Sequence, residues 1–119
     1  MSALPASIAV RACEPGTPDD AAVVALDGDG SIVGRGTLSR LYGLRAEVRI
    51  DIAPTTTITL TLIDALEREA RKRRLSRLEV DASGLSESVV VALRRWRPVA
   101  AELRATHLYL TWPTTLVNP

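Results

Sequence analysis

Residues 45–82 read RAEVRIDIAPTTTITLTLIDALEREARKRRLSRLEVDA, and this stretch decides the fold class. Apolar and charged residues alternate over residues 45–52, which predicts a strand with one buried face and one polar face. From residue 55 to about residue 74, apolar residues recur at helical spacing, with Thr55 or Thr56 as the N-cap. Residues 76–82 alternate again. A strand, a helix and a strand in this order predict a βαβ unit with parallel strands and a right-handed crossover.

The sequence before this unit predicts a β-hairpin. Residues 21–27 and 31–40 are strand-like runs separated by Gly28-Asp29-Gly30, a tight-turn signal. A further short strand is predicted over residues 7–12, and the Pro-, Gly- and Asp-rich residues 13–20 predict a loop.

The sequence after the unit predicts a helix and a last strand. Ser86 is a candidate N-cap for a helix to about Trp96, with Val89, Val90, Leu93 and Trp96 on its buried face. Residues 102–112 alternate and predict a single strand, which would be an exposed sheet edge. Residues 1–6 and 113–119 are expected to be flexible ends.

Composition predicts a single domain over residues 1–119. The chain has 46% hydrophobic residues and a net charge of +1, so one hydrophobic core is expected and a global attraction to nucleic acid or anionic lipid is not. The one cysteine excludes an internal disulfide. No signal peptide and no membrane-spanning run is recognised, so we expect a cytoplasmic protein.

The order of predicted elements and three local stretches resemble the GNAT N-acetyltransferase family. The stretches are VALDGDGSIVGRGTLSRL (24–41), AEVRIDIAP (46–54) and LIDALEREARKRRLSRLEVDAS (62–83). The resemblance implies an α/β (α+β) fold: a mixed, mostly antiparallel sheet of about five or six strands with one βαβ crossover and two helices. The family's first two helices would be missing, because residues 13–20 are too few to form them.

One departure from the family bears on the coenzyme. The family has a glycine-rich loop before the helix that follows its fourth strand, and its backbone amides hold the pyrophosphate of acetyl-CoA. Residues 54–59 of this chain read PTTTIT and contain no glycine. The sequence therefore favours no bound cofactor. Thr55, Thr56 and Thr57 remain candidates for an anion site, although a plain N-cap is the simpler interpretation.

Without the family's first two helices, part of one sheet face is expected to be bare. Arg35 and Thr37 on one strand and Glu47, Arg49 and Asp51 on the next are predicted to share this face and to form cross-strand ion pairs. We expect it to be an interaction face. The function favoured by the sequence is a non-catalytic or regulatory module that acts through a protein partner or a homodimer.

Two alternatives remain open. The first is an acyl-CoA-dependent N-acetyltransferase in which Glu47, where the family often has its general base, deprotonates an amine; an Arg-paired surface carboxylate is the simpler interpretation. The second is a small nucleic-acid-binding protein that uses the Arg clusters of residues 71–77 and 94–97, which have only Trp96 as a nearby aromatic. His107 has no partner at metal-ligand spacing, and Tyr109 is expected to serve packing.

Overall fold

The computed structural model describes the backbone of residues 9–13 and 21–114 and the side chains of residues 21–114. Its strands are β1 (Ala9–Cys13), β2 (Ala21–Leu26), β3 (Ile32–Arg40), β4 (Arg45–Ile52), β5 (Arg77–Asp81), β6 (Ala100–Arg104) and β7 (His107–Pro113). Its helices are α1 (Thr56–Lys72) and α2 (Glu87–Trp96), with a 3₁₀ turn at Ala82–Gly84. The predicted loop at residues 13–20 lies outside the described residues except for Cys13, which ends β1.

The strands form one sheet in the order β1-β2-β3-β4-β5-β7-β6. β4 and β5 are parallel and every other neighbouring pair is antiparallel. The predicted mixed, mostly antiparallel fold with one βαβ crossover is therefore confirmed. The hairpin predicted over residues 21–40 is present as β2 and β3.

The predicted single strand over residues 102–112 is wrong, and the sheet has seven strands among the described residues. The chain turns at Ala105, which adopts a left-handed conformation with φ of 54°, and folds into the β6–β7 hairpin. Ala105 and Thr106 carry none of the usual turn signals, so the alternating pattern continues unbroken across the turn. β7 lies inside the sheet, and β6 is the edge strand beyond it.

Both helices cover the same face of the sheet. The core cluster combines side chains of both helices with alternate side chains of the strands: Leu62, Leu66, Val89, Leu93, Val23, Leu38, Val48, Leu78, Leu110 and Trp112. Within residues 21–114, no helix covers the opposite face, which we call the open face. Arg35 and Arg49, which the sequence places on a bare polar face, lie on the open face with exposed side chains, whereas Glu79 and Thr111 on the same face are buried.

Helix capping agrees with the sequence at both N-termini. The Thr55 hydroxyl accepts a hydrogen bond from the backbone N–H of Ile58 at 3.1 Å, and the Ser86 hydroxyl accepts one from Val89 at 3.3 Å. Each satisfies one of the amides that a helix start leaves without an intrahelical partner.

Two further predictions differ from the structure: the burial of Trp96 and the flexible end that begins at Pro113. Trp96 is not in the core; it is 74% exposed, because α2 ends there and the chain turns away at Arg97. Pro113 and Thr114 are not part of a flexible end. Pro113 belongs to β7, and the buried Thr114 hydroxyl donates to the Leu75 carbonyl at 2.7 Å.

Gly34 allows α1 to lie close to β3. A Cβ atom at Gly34 would be 2.6 Å from Cγ2 of Ile58, 3.1 Å from Cδ1 of Leu62 and 3.3 Å from Cβ of Ala25. The glycine at position 34 is therefore required by helix packing.

Gly34→Ala is expected to lower the free energy of unfolding by about 1–3 kcal/mol, since the methyl group must displace the first turn of α1. Chemical denaturation measures this change. Gly28→Ala is the matched control, because a Cβ there meets no atom within 4 Å, and its effect should stay within about 0.5 kcal/mol. Equal effects at the two positions would contradict the packing argument.

Candidate functional site

A cleft opens where β4 and β5 separate. The two strands pair from Arg45 opposite Arg77 to Val48 opposite Val80, and the pairing ends there. Beyond this point lies a cavity of about 310 Å³ whose walls include Glu47, Asp51, Asp81, Gly84 and Tyr109. The cavity therefore occupies the gap between two parallel strands, at their carboxyl ends, where ligands bind in many α/β folds.

A β-bulge accompanies the separation of the strands. On β3, Gly36 lies opposite Ile50 and the preceding Arg35 lies opposite Ile52, so Asp51 is an extra residue on β4. Bulges bend the strand that carries them and are common beside active sites. The alternating sequence of residues 45–52 shows no sign of this bulge.

A second cavity continues the cleft to the helix face of the sheet. It measures about 390 Å³ and shares Ile50, Asp51, Gly84 and Leu85 with the first cavity. Its far walls are formed by the starts of both helices: Pro54, Thr55, Thr56 and Thr59 before and within α1, and Ser86 and Val89 at α2. The two cavities adjoin at these shared residues, and we call them together the cleft, which extends from Glu47 to the N-termini of both helices.

Glu47 lies at the open-face mouth of the cleft. Its side chain is 17% exposed and its Oε1 is 3.4 Å from Nε of Arg49. In the sheet register it lies opposite Ser39 on β3 and Glu79 on β5. The carboxylate is thus half-buried in the wall of the cavity and still accessible from the open face.

The five residues of the predicted interaction face lie on β3 and β4, and one of the predicted cross-strand ion pairs is present among them. Arg35 forms a cross-strand ion pair with Asp51 at 3.9 Å, and Thr37 lies opposite Arg49. The Glu47–Arg49 ion pair runs along β4 instead of across strands. These residues therefore share one face, while a role in association stays a prediction.

The three threonines are placed differently from one another. Thr55 and Thr56 line the cleft, whereas Thr57 is not among its lining residues. No residue between 53 and 59 has a positive φ, so the segment forms no nest of alternating right- and left-handed residues. The N–H groups of Thr56 and Thr57 still lie in the first turn, where a helix offers donors and the positive end of its dipole.

The open face contains a buried carboxylate that the sequence does not reveal. Glu79 is buried, and its two oxygens accept hydrogen bonds from Nη1 and Nη2 of Arg104 at 2.9 and 3.0 Å. These bonds, together with those to Glu102, raise the pKa of Arg104. The Arg104 guanidinium also lies over the Tyr109 ring, 4.7 Å from its centroid. Tyr109, expected to serve packing alone, is thereby held in the wall of the cleft.

His107 and Asp81 lie beside the cleft. His107 Nδ1 is 3.1 Å from Oδ2 of Asp81, as a structural role for the histidine predicts. Hydrogen bonds from the hydroxyl and backbone N–H of Ser83, with a smaller contribution from His107, lower the pKa of Asp81. Across residues 21–114, no group of His, Cys, Asp and Glu side chains has the geometry of a metal site.

The basic end of α1 is largely engaged by its own helix. Arg73 and Lys72 contact the Glu69 carboxylate at 2.7 and 3.1 Å, and Arg71 Nη1 donates to the Thr114 carbonyl at 2.9 Å. These contacts leave less positive charge for a nucleic-acid backbone than the sequence cluster indicates. None of the helices in the described part of the chain is long and apolar enough to cross a membrane.

Among known proteins, solved structures are similar to this chain, whereas family models and curated sequences are not. No protein-family model matches the sequence, and no curated protein matches it either. One similar structure is a Klebsiella pneumoniae protein provisionally assigned as an acyl-CoA N-acyltransferase, with 15% sequence identity and a TM-score of 0.72. The similarity covers 91% of this chain and 98% of that protein. The IAA acetyltransferase of Bacillus cereus is similar at 15% identity, a TM-score of 0.68, and 90% and 99% coverage.

A third similar structure contains a coenzyme. The phosphinothricin acetyltransferase of Sinorhizobium meliloti, solved in complex with acetyl-CoA, shows 18% identity and a TM-score of 0.63 over 79% of this chain and 60% of that one. Because all three sequence identities are below 20%, these comparisons are evidence for a shared fold and not for a shared activity. With the mixed sheet, the parallel β4–β5 pair and the crossover helix, they show that the chain has the fold of the GNAT acetyltransferases.

Proposed function

We propose that the chain is an acyl-CoA-dependent N-acyltransferase that binds the thioester in the cleft between β4 and β5. The observation that carries this proposal is the cleft itself, whose two adjoining cavities extend from Glu47 to the N-termini of α1 and α2. The absence of a glycine-rich loop favours weak coenzyme binding more than it favours none.

The helix-face end of the cleft is suited to the phosphates of the coenzyme. The first turns of α1 and α2 line it together, and each presents amide donors and the positive end of a helix dipole. The first turn of α1 has no acidic residue, whereas Glu87 lies in the first turn of α2 and Asp51 lines the same cavity, and both reduce the attraction for an anion. Without a backbone nest, this end has fewer donors, so we expect a higher Kd than a glycine-rich loop would support.

The open-face end is suited to the acceptor amine. Glu47 takes a proton from the bound ammonium group, and the resulting amine attacks the thioester carbonyl. The C–N bond forms and the C–S bond breaks. The second amine proton neutralises the leaving thiolate, and Glu47 returns its proton to water across the open face.

The proposal is tested by ligand-induced stabilisation with acetyl-CoA and CoA. A ligand at 100 times its Kd stabilises the native state by about 2.7 kcal/mol, which raises Tm by several degrees. Gly84→Phe should abolish this rise. Gly84 lines both cavities, and a Cβ added to it would meet no atom within 4 Å, so a large side chain enters the cleft without displacing the fold.

Gly28→Phe is the matched control, because its site is equally open and lies in the β2–β3 turn, away from the cleft. It should show the same rise in Tm as the unmodified chain. No rise for the unmodified chain at millimolar acetyl-CoA would overturn the proposal and return the non-catalytic module to first place. An equal rise in Gly84→Phe would place the coenzyme elsewhere.

A further inference from the structure

The turn between β3 and β4 is apolar, although it lies at an exposed end of the sheet. Residues 41–44 read LYGL, and Leu41, Tyr42 and Leu44 are 41%, 62% and 50% exposed. By contrast, residues 27–30 of the β2–β3 turn read DGDG and are polar, as hairpin turns usually are. Exposed apolar side chains grouped in this way are typical of a surface that binds another molecule or a membrane. We call residues 41–44 the apolar tip.

Hydrogen bonds fix the backbone of the apolar tip. The N–H of Leu41 donates to the Arg45 carbonyl at 3.0 Å, and the N–H of Arg45 donates to the Tyr42 carbonyl at 3.1 Å. Gly43 has the positive φ, 58°, that closes the turn. Nη1 of Arg45 also donates to the Tyr42 hydroxyl at 2.9 Å, so the polar atom of the exposed tyrosine is next to a cation.

The basic end of α1 lies beside the apolar tip. The Leu44 carbonyl accepts hydrogen bonds from the backbone N–H groups of Ser76 and Arg77 at 2.8 and 3.2 Å, and these residues follow α1 closely. Lys72 and Arg73 share one carboxylate, that of Glu69. Within residues 21–114, the cations around the tip therefore outnumber the carboxylates paired with them, which are Glu67, Glu69 and Glu102. The cations include Arg45, Arg71, Lys72, Arg73, Arg74 and Arg77.

The opposite end of the sheet, where the cleft lies, is acidic. β4 runs from the apolar tip to the cleft, so the two are at opposite ends of this strand. The nearby Arg35 and Arg104 already form ion pairs with carboxylates. Because salt screens charges beyond about 8 Å, a surface at one end experiences the charge of that end and not the whole-chain value of +1. The carboxylates of the cleft end are Asp27, Asp29, Asp51, Asp81 and Glu87.

We propose that the apolar tip and the cations around it bind the surface of an anionic lipid bilayer. The two leucines and the tyrosine ring enter the boundary between headgroups and acyl chains, while the cations contact the lipid phosphates. The Tyr42 hydroxyl and Arg45 suit the headgroup level, where aromatic and cationic side chains are common. A nucleic acid would attract the same cations but would leave Leu41 and Leu44 in water. The cleft stays at the far end of the sheet, so the proposal does not depend on acyl transfer.

Co-sedimentation with lipid vesicles tests the proposal. The unmodified chain should bind vesicles of equal parts phosphatidylcholine and phosphatidylglycerol, should bind pure phosphatidylcholine more weakly, and should be released by salt. Leu41→Asn/Leu44→Asn should lower the partition coefficient on the mixed vesicles about tenfold or more, because two apolar side chains no longer leave water. Ile32→Asn is the matched control, since Ile32 is 56% exposed at the cleft end of β3, and it should bind like the unmodified chain.

A charge reversal tests the electrostatic contribution separately. Arg74→Glu should lower the partition coefficient about tenfold or more, because it places a carboxylate beside the apolar tip. Arg35→Glu changes the net charge equally at the cleft end and should leave binding nearly unchanged. The replaced side chains are exposed, so all variants should fold, and circular dichroism checks this.

Three results would each overturn the proposal: no binding to the mixed vesicles at low salt, binding that the leucine double variant leaves unchanged, and losses as large in the two controls as in the tip variants. Binding to duplex DNA in place of the vesicles would assign the basic end to nucleic acid and would overturn it as well.

Discussion

Glu47→Gln is expected to reduce kcat for acyl transfer from acetyl-CoA to a primary amine by about 10²–10⁴-fold. The amide keeps the shape of the side chain at the mouth of the cleft but cannot accept the proton of the ammonium group. KM for acetyl-CoA should change little, because Glu47 lies at the opposite end of the cleft from the helix N-termini. Thiol release with a panel of primary amines measures the rate.

The pH dependence of the variant separates proton transfer from a structural effect. As pH rises, a growing fraction of the amine is already deprotonated in solution, so the activity lost in Glu47→Gln should be partly recovered at high pH. A variant that stays equally impaired at every pH would contradict the base assignment. Asp51→Asn, a second carboxylate of the same cleft, should lose less, and an equal loss would indicate a general effect of cleft charge.

Single strands and helices can be predicted here because each is specified by the spacing of apolar residues within its own segment. The alternation of residues 45–52 and the helical spacing after Thr55 specify β4 and α1 without reference to the rest of the chain. Parallel pairing of β4 with β5 then follows from the crossover between them. The hydroxyl caps at Thr55 and Ser86 are equally local, and the sequence predicts both.

The cleft is predictable only in part. The family resemblance points to Glu47 and Thr55 but not to the bulge at Asp51, because an extra residue in a strand leaves the sequence pattern unchanged. Tyr109 reaches the cleft only because β7 inserts beside β5, which depends on the turn at Ala105. The helical spacing of Trp96 predicts burial, yet spacing cannot show where the sheet stops covering the helix.

Glu67 shows most clearly how a long-range contact changes the role of a residue. Its i,i+4 spacing from Arg71 predicts a solvated ion pair on α1, but its side chain is only 4% exposed. Its Oε2 accepts hydrogen bonds from Nε1 of Trp112 at 2.8 Å and from Nε of Arg97 at 3.1 Å. Glu67 therefore links α1 to β7 and to the residue that follows α2. These partners are 45 and 30 residues away along the chain, where no sequence period can associate them.

Glu67→Leu is expected to lower the free energy of unfolding by about 3–5 kcal/mol. It removes the acceptor of the buried Trp112 N–H and leaves the Arg97 guanidinium, whose side chain is 8% exposed, without its buried counter-charge. Chemical denaturation followed by circular dichroism measures the loss. Asp64→Ala is the control on the same helix: Asp64 also contacts Arg97, but its side chain is 53% exposed, so about 1 kcal/mol or less should be lost.

A double-mutant cycle distinguishes the buried charge from simple packing. If the unpaired guanidinium causes most of the loss, Glu67→Leu/Arg97→Met should be more stable than Glu67→Leu alone, because the uncompensated charge is gone. If the two losses add, the Glu67–Arg97 pair contributes no coupling and the Trp112 hydrogen bond is the main term. Since the network joins α1, β7 and the residue that follows α2, a chain that tolerated Glu67→Leu without loss would show that these elements are held in place by apolar packing alone.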